Sequence, residues 1–377
     1  MKIAMISWEY PPQFSGGLGI HCYKIVHALT HIGVKVDFYL PAYNTENFDI
    51  PEGMTMHHLQ MSDSISTNAY NQGTDLDTIK KFMIQLEENF KPEGIDLIHA
   101  HDWMGVFAAS RLAERYNIPL IWTIHSTEYD RAAGMPVNPG ILTIEQEALK
   151  NVKHTITVSN RLKQSLVLDY NADPNKISVI YNGIESKSFQ EISKRNYQKT
   201  DGYILFLGRV TGQKGPDDFL KAAQILLSER DDIRFMIAGD GDLLKRLKRR
   251  AKRWRIYDRI EFTGSVYGDQ VLDCYEKAII FVLPSVSEPF GITVLEAMAS
   301  GLPTIISTNT GAGEVVKHVI YVEPNQPNEL AQAIITLLNN PQLRQTLGEE
   351  GAREVSTLTW ENIANETRSL YSRLLDM

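Results

Sequence analysis

Short, nearly unbroken apolar runs alternate with helix-length amphipathic segments along this chain, and the alternation runs its course twice. Residues 3–7, 34–40, 95–100, 119–125, 154–158 and 176–181 read as buried strands, with helices over 18–31 and 104–116 between them. A polar, charged stretch at 185–202 lacks this periodicity and reads as a linker. The pattern then restarts, with strands over 203–208, 233–239, 259–264, 279–284 and 303–307 and helices over 216–228, 242–254, 269–277, 292–300 and 328–338. Strands apolar along their whole length are buried on both faces, and helices between them are the crossovers of a parallel sheet. The expectation is an α/β chain of two tandem, Rossmann-like, doubly wound domains facing a central cleft. Residues 1–190 form the first, 191–358 the second, and 359–377 a last helix free to dock back on the first. A length of 377 residues suits two domains of ordinary size.

Doubly wound sheets bind ligands at the carboxyl ends of their strands, so the strand-end segments carry the chemistry. In Pro284-Ser285-Val286-Ser287-Glu288-Pro289-Phe290-Gly291-Ile292-Thr293-Val294-Leu295-Glu296, a strand gives way to a loop and a helix opens near Gly291. Free amides at such a helix start suit an anion. Glu296, one turn in, can accept two hydrogen bonds from vicinal hydroxyls. Glu288, in the loop, is placed for the hydroxyls of a sugar. The plain alternative is one helix acid and one surface acid. A second strand end, Gly208-Arg209-Val210-Thr211-Gly212-Gln213-Lys214-Gly215, sets two cations five apart on a glycine-rich loop. It lacks the residue order of a Walker loop, but Arg209 and Lys214 can neutralise a diphosphate; otherwise they decorate a solvated loop.

Three segments of the first half complete the set. Ser15-Gly16-Gly17-Leu18-Gly19 is a glycine-rich turn opening a helix, by itself a weak sign of a phosphate cradle. His99-Ala100-His101-Asp102-Trp103 ends a strand. A metal-hydrolase site can begin this way, but no second His, Asp or Cys cluster stands out to complete its ligands. Trp122-Thr123-Ile124-His125 ends another strand and directs His125 to the cleft, unless it is a capping or core histidine.

Taken in order, these segments resemble retaining glycosyltransferases of the GT-B fold, the group 1 or family 4 type related to glycogen and starch synthases. That group carries two glutamates separated by seven residues in a Pro-Ser-x-x-Glu-Pro-Phe-Gly context, and here the pattern is unbroken. The resemblance implies that Glu296 holds the nucleotide ribose and Glu288 the transferred sugar. Arg209 and Lys214 would face the leaving diphosphate, and Gly16 and Gly17 would present amides to it. Asp102 would lie by the sugar and acceptor, and His125 would touch the donor sugar. Gly208, Phe290, Gly291, Ile292 and Thr293 complete the implied donor-binding set. The implied reaction moves a hexose from a UDP-, ADP- or GDP-linked donor to a carbohydrate, lipid-linked or small-molecule hydroxyl, with retention, without metal or other cofactor, and with closure about the linker. Loops at 44–73 would choose the acceptor. Alternatives are another enzyme of this fold, such as an epimerase or a pyridoxal-dependent phosphorylase, and a non-catalytic nucleotide-sugar-binding partner.

A net charge of −8 argues against nucleic acid as a partner. Two cysteines far apart, Cys22 and Cys274, and an N-terminus that enters a strand at once point to the cytoplasm. One cluster runs against the acidic balance: nine of the thirty-eight Lys and Arg residues lie between Lys245 and Arg259. Leu243, Leu244, Leu247, Ala251 and Trp254 recur among them at helical spacing, so one face is core. The other is either a solvated face or a peripheral contact with an anionic membrane.

Overall fold

The computed structural model describes residues 1–12, 16–42, 48–61 and 76–376. They form two compact units: Met1–Asn182 together with the C-terminal helix Trp360–Leu375, and Gly183–Thr359.

The first unit holds a seven-stranded sheet of β1 (Lys2–Ile6), β2 (Lys35–Ala42), β3 (Met54–Gln60), β4 (Leu97–His101), β5 (Leu120–Ile124), β6 (His154–Thr157) and β7 (Ile177–Val179). Its order is β3-β2-β1-β4-β5-β6-β7, with every pairing parallel. β4 and β5 are buried throughout, His99, His101 and Thr123 included among their apolar residues. The second unit holds β8 (Tyr203–Leu207), β9 (Arg234–Ala238), β10 (Ile260–Gly264), β11 (Ala278–Leu283), β12 (Thr304–Ser307) and β13 (Ile320–Val322). Its order, β10-β9-β8-β11-β12-β13, is again wholly parallel. Counted from its own first strand, each sheet therefore runs 3-2-1-4-5-6, and the first unit adds a seventh strand. The order reverses beside β1 and β4 in the first unit and beside β8 and β11 in the second. A doubly wound sheet offers its ligand crevice at that reversal.

Three sequence expectations need correction. β3 lies inside the span 44–73 expected to be loop; residues 43–47 and 62–75 lie outside the described residues. β3 pairs only with β2, and its Met-Thr-Met-His-His-Leu-Gln sequence is half exposed, so it lacks a buried strand's signal. The stretch 185–202 is not a solvated linker either. Arg195 donates to the carbonyls of Ser300, Ala278 and Tyr275 at 2.5–2.7 Å, and Tyr197 donates to that of Gly301 at 2.9 Å. The polar residues there satisfy carbonyls of the second unit, which begins at Gly183 rather than residue 191. The helix Trp360–Leu375 packs along Gly17–His31 of the first unit and buries Trp360, Ile363, Ala364, Leu370, Tyr371 and Leu374.

The helix Leu244–Arg253 turns Leu244, Leu247 and Ala251 into the core. Of its cations, Arg246 and Arg250 both pair with Asp217, while Lys248 and Lys252 lie over the rings of Phe262 and Tyr257. Among the described residues no helix is long and apolar enough to cross a membrane.

Candidate active site

In the second unit, the two strands at the order reversal end in the two segments singled out by sequence. β8 leads into Gly208–Gly215, and β11 into Pro284–Gly291. Backbone bonds lock the two loops together: the amides of Val286 and Ser287 donate to the Gln213 carbonyl at 2.8 and 3.4 Å. Gly215 has φ +68, and a Cβ there would lie 2.1 Å from the Pro284 carbonyl oxygen, so only glycine allows this approach. The loops bring Lys214 and Glu288 into an ion pair. Glu288 is 4% exposed, and Ser285 donates to the same carboxylate oxygen at 3.4 Å. The loop that carries Glu288 is held in turn by Gly311 and Asn309, through bonds of 2.8 and 3.0 Å to its backbone.

Gly291, at φ +98, starts the helix Ile292–Ala299 without a side-chain cap. The first-turn amides of Ile292 and Thr293 are thus not consumed by a capping side chain, the arrangement that receives an anion. Glu296, half-buried on this helix, accepts a 2.8 Å hydrogen bond from the Tyr275 hydroxyl. Tyr275 is fully buried, and that burial, with the carboxylate beside it, holds its hydroxyl well above the usual range, so it acts as a donor. Motif reading missed Tyr275; only its place on the inner face of Asp269–Lys277 marks it. Phe290 is buried and its carbonyl accepts from Ala312 at 2.7 Å. Arg209 is partly exposed, and Val210 beside it is fixed to the Asp240 carbonyl at 2.8 Å. Asp-x-Asp strings, which in other proteins can hold a divalent ion, occur twice. Asp240-Gly241-Asp242 makes the exposed turn against Val210, where Asp240 accepts from the Gly241 amide at 2.7 Å. In Asp75-Leu76-Asp77, Asp75 lies outside the described residues and Asp77 pairs with Lys80.

In the first unit the corresponding reversal lies between the ends of β1 and β4. Gly16 precedes the helix Gly17–His31, which has no side-chain N-cap; Ser15 lies outside the described residues. A buried carboxylate already serves this helix start, since Glu9 accepts from the Gly19 amide at 3.1 Å. Motif reading missed Glu9. Asp102 begins the helix Asp102–Tyr116 with φ +52, a region few residues other than glycine adopt. Its carboxylate accepts from the His125 amide at 2.7 Å, which brings together the two strand ends predicted for sugar and acceptor.

Four histidines gather behind this contact. His99 is committed to the core: its ring nitrogens lie 2.5 Å from the Tyr371 hydroxyl and 2.6 Å from that of Thr123. His101 Nδ1 and His125 Nε2 are 3.1 Å apart, and His21 Nδ1 meets the Asn182 side-chain oxygen at 2.7 Å. Burial lowers the pKa of all four, to about 3 for His99 and His125 and well below the usual value for His21 and His101, so the rings are neutral near pH 7. His21 and His125 lie beside His101, with one ring nitrogen of each of the three within 4.8 Å of the others; His99 is not part of that group.

Comparison with known proteins agrees with this geometry. The model of glycosyltransferase family 4 matches residues 15–187, and that of the glycosyl transferases group 1 matches 188–354. An uncharacterized glycosyltransferase of Methanocaldococcus jannaschii is 33% identical, covering 100% of this chain and 99% of that protein. A glycogen synthase of Mycobacterium tuberculosis is 26% identical over 98% of this chain and 94% of its own. Among solved structures, a sucrose-phosphate synthase from Thermosynechococcus elongatus superposes with a TM-score of 0.85 at 23% identity, covering 100% of this chain and 99% of that one. The two locked loops of the second unit, the strand order of both sheets and these relatives lead to one assignment: the chain belongs to the group 1 glycosyltransferases, with the GT-B fold.

Proposed function

We propose that the chain moves a hexose from a nucleoside diphosphate sugar to a hydroxyl acceptor with retention at the anomeric carbon, and that protein cations rather than a divalent metal stabilise the leaving group. The observation that carries this reading is the buried Lys214–Glu288 pair between the loops at the reversal of the second sheet. Lys214 and Arg209 supply positive charge where a diphosphate would gather negative charge, and the amides of Ile292 and Thr293 add aligned dipoles. Such charge acts most strongly where water is excluded. Glu296, oriented by Tyr275, accepts from ribose hydroxyls, and Glu288 accepts from the sugar. Asp102 and His125 of the first unit serve sugar and acceptor. In the step, the bond from the anomeric carbon to the diphosphate oxygen breaks, and a bond to the acceptor oxygen forms on the same face. The acceptor's proton passes to the departing phosphate oxygen.

A glycogen synthase among the relatives favours a glucosyl donor. The buried free thiols of Cys22 and Cys274 fit a reducing, cytoplasmic setting, and the basic face at 245–259 fits peripheral contact with anionic lipid. A thermal-shift screen of UDP-, ADP- and GDP-sugars is the first test, because a ligand that binds the native state alone raises the melting temperature. Transfer with the selected donor is then followed after EDTA treatment, and the product anomer is read by NMR. An inverted anomer, or activity lost with EDTA and restored by magnesium, overturns the reading.

A further inference from the structure

We propose that Phe189 and Arg195 are positioning residues for the nucleotide: they hold Tyr275 by its ring and by its backbone, and through Tyr275 they aim the Glu296 carboxylate. The inference rests on the reading of Glu296 as the acceptor for ribose hydroxyls. Both residues lie on the polar stretch before β8, inside the second unit and away from every sequence motif. Arg195 is half-buried and uses its planar fork on three elements at once. Nη2 donates at 2.6 Å to the carbonyl of Tyr275, in the last turn of the helix Asp269–Lys277. Nη1 donates at 2.7 Å to Ala278, the first residue of β11. Nε donates at 2.5 Å to Ser300, just past the helix Ile292–Ala299. Carbonyls at a helix end lack intrahelical partners and carry partial negative charge, and a guanidinium answers both. Burial brings the Arg195 pKa down only to about 10, so the group stays charged near pH 7.

One side chain thus ties the helix that carries Tyr275 to the helix that carries Glu296. Ser300 is bonded back to Glu296 itself, its amide and hydroxyl donating to the Glu296 carbonyl at 2.9 and 2.8 Å. Phe189, buried on the short helix Lys187–Gln190, meets the Tyr275 ring edge-on with centroids 5.9 Å apart. The ring's placement matters because a phenol has one proton to donate. Two acceptors are in reach of the Tyr275 hydroxyl: the Glu296 carboxylate at 2.8 Å and the Thr293 carbonyl at 3.3 Å. A small shift of the ring would pass the proton to Thr293 and release the carboxylate to turn. With the ring held, the carboxylate is fixed by one bond and keeps its remaining lone pairs for hydroxyl donors. A group ordered in advance loses less freedom when the ligand arrives.

The test titrates the full chain with UDP, ADP and GDP by calorimetry and continues with whichever binds. Arg195→Lys keeps the charge but not the fork, and Phe189→Leu removes only the aromatic edge. Each should raise the nucleotide Kd and the donor KM about threefold with kcat near the parent's, since neither can exceed the loss of the hydroxyl they aim. In a Tyr275→Phe background no proton is left to aim, and the same substitutions should change Kd by less than about 1.5-fold. Arg344→Lys is the structural control: buried Arg344 donates to the carbonyls of Leu337, Leu338 and Tyr197 rather than to Tyr275. It should lower the urea midpoint and leave Kd unchanged. Losses that multiply in the double variants, or an equal rise in Kd for Arg344→Lys, overturn the positioning role while Glu296 keeps the ribose. No binding of the three nucleotides, or a parent-like Kd for Glu296→Ala, overturns the ribose reading and this inference with it. If Arg195→Lys fails to fold, Phe189→Leu decides by the same cycle.

Discussion

The two units share a strand order and differ in what they place at its reversal. The second unit sets charge there: Lys214 paired with Glu288, Arg209 near by, and the uncapped start of Ile292–Ala299. The first sets neutral rings there: three buried histidines and the partly buried His125, with Asp102 holding the His125 backbone. A parallel sheet fixes where a ligand meets the protein but leaves the strand-end residues free to vary. Charge suits a leaving diphosphate, whereas neutral imidazoles and a glycine-rich turn suit hydroxyls. The difference supports the proposed reading, in which donor phosphates fall to the second unit and the hydroxyls of sugar and acceptor to the first.

The largest effect should follow from removing Lys214. Lys214→Ala is expected to lower kcat/KM about 10²–10³-fold, the usual loss when one preorganised charge-stabilising donor is removed. It should also lower stability, because the buried Glu288 carboxylate then lacks its cation, a change worth about 3–5 kcal/mol. The Lys214→Ala/Glu288→Gln double variant separates these effects: its urea midpoint should recover most of the loss while turnover stays low. Recovery of both would reduce the pair to a structural role and remove the charge contrast between the units.

The first unit's counterpart is Asp102. Asp102→Ala removes the carboxylate that accepts from His125 and puts alanine at φ +52. We expect a loss of about 2 kcal/mol in stability, from one charged hydrogen bond and a strained backbone. Asp102→Asn, which tolerates that backbone and keeps an acceptor oxygen, should recover about half. Chemical denaturation of both measures this; a loss equal to alanine's would place the cost in the negative charge rather than the backbone.

Why one unit was more legible than the other follows from where its residues lie along the chain. Glu288, Phe290, Gly291 and Glu296 fall within nine consecutive positions, and Arg209 and Lys214 within six, so local spacing displays them. His21, His101 and His125 come from separate elements, and no spacing links residues that only the sheet brings together. Tyr275 and Glu9 were missed for the same reason: each acts through one long-range hydrogen bond. Most strands were readable because β1, β5, β8 and β11 are buried on both faces and hence mainly apolar, and β4 carries its two histidines in an otherwise apolar run. β3, Met-Thr-Met-His-His-Leu-Gln, is an edge strand of mixed sequence, and β13, Ile-Tyr-Val, is an edge strand of three residues with Tyr321 exposed, too short to stand out. The polar stretch 185–202 misled because Arg195 spends its donors on buried carbonyls rather than on water.

Within the second unit, Glu296 and Tyr275 should matter for binding more than for chemistry. Glu296→Ala is expected to raise the nucleotide Kd about tenfold, near 1.4 kcal/mol, with kcat close to the parent's. Tyr275→Phe, which removes only the hydroxyl that orients the carboxylate, should raise it two- to fivefold, about 0.5–1 kcal/mol. Calorimetric titration with the free nucleotide reads both. A fall in kcat with unchanged Kd would move Glu296 from the ribose to the reacting sugar.

The smallest effect on the fold, and the sharpest test of whether charge in the second unit serves anything besides the donor, lies on the helix Leu244–Arg253. Arg246 and Arg250 are engaged by Asp217, which with Gly212, Gly215 and Arg250 also lines a cavity of about 290 Å³ beside the cation loop. Lys245, Arg249 and Arg253 are exposed. Since the apolar residues of this helix are spent on the core, its outer face has nothing to insert into a bilayer, and any membrane contact is electrostatic. Each cation near an anionic surface is worth about 1 kcal/mol and is screened by salt. The triple variant Lys245→Ala/Arg249→Ala/Arg253→Ala should therefore keep its stability within about 0.5 kcal/mol, while co-sedimentation with vesicles containing phosphatidylserine falls steeply, as it also should for the parent in high salt. Equal sedimentation of parent and variant would reduce the helix to a solvated face, leaving the loop cations as the functional charge of the second unit.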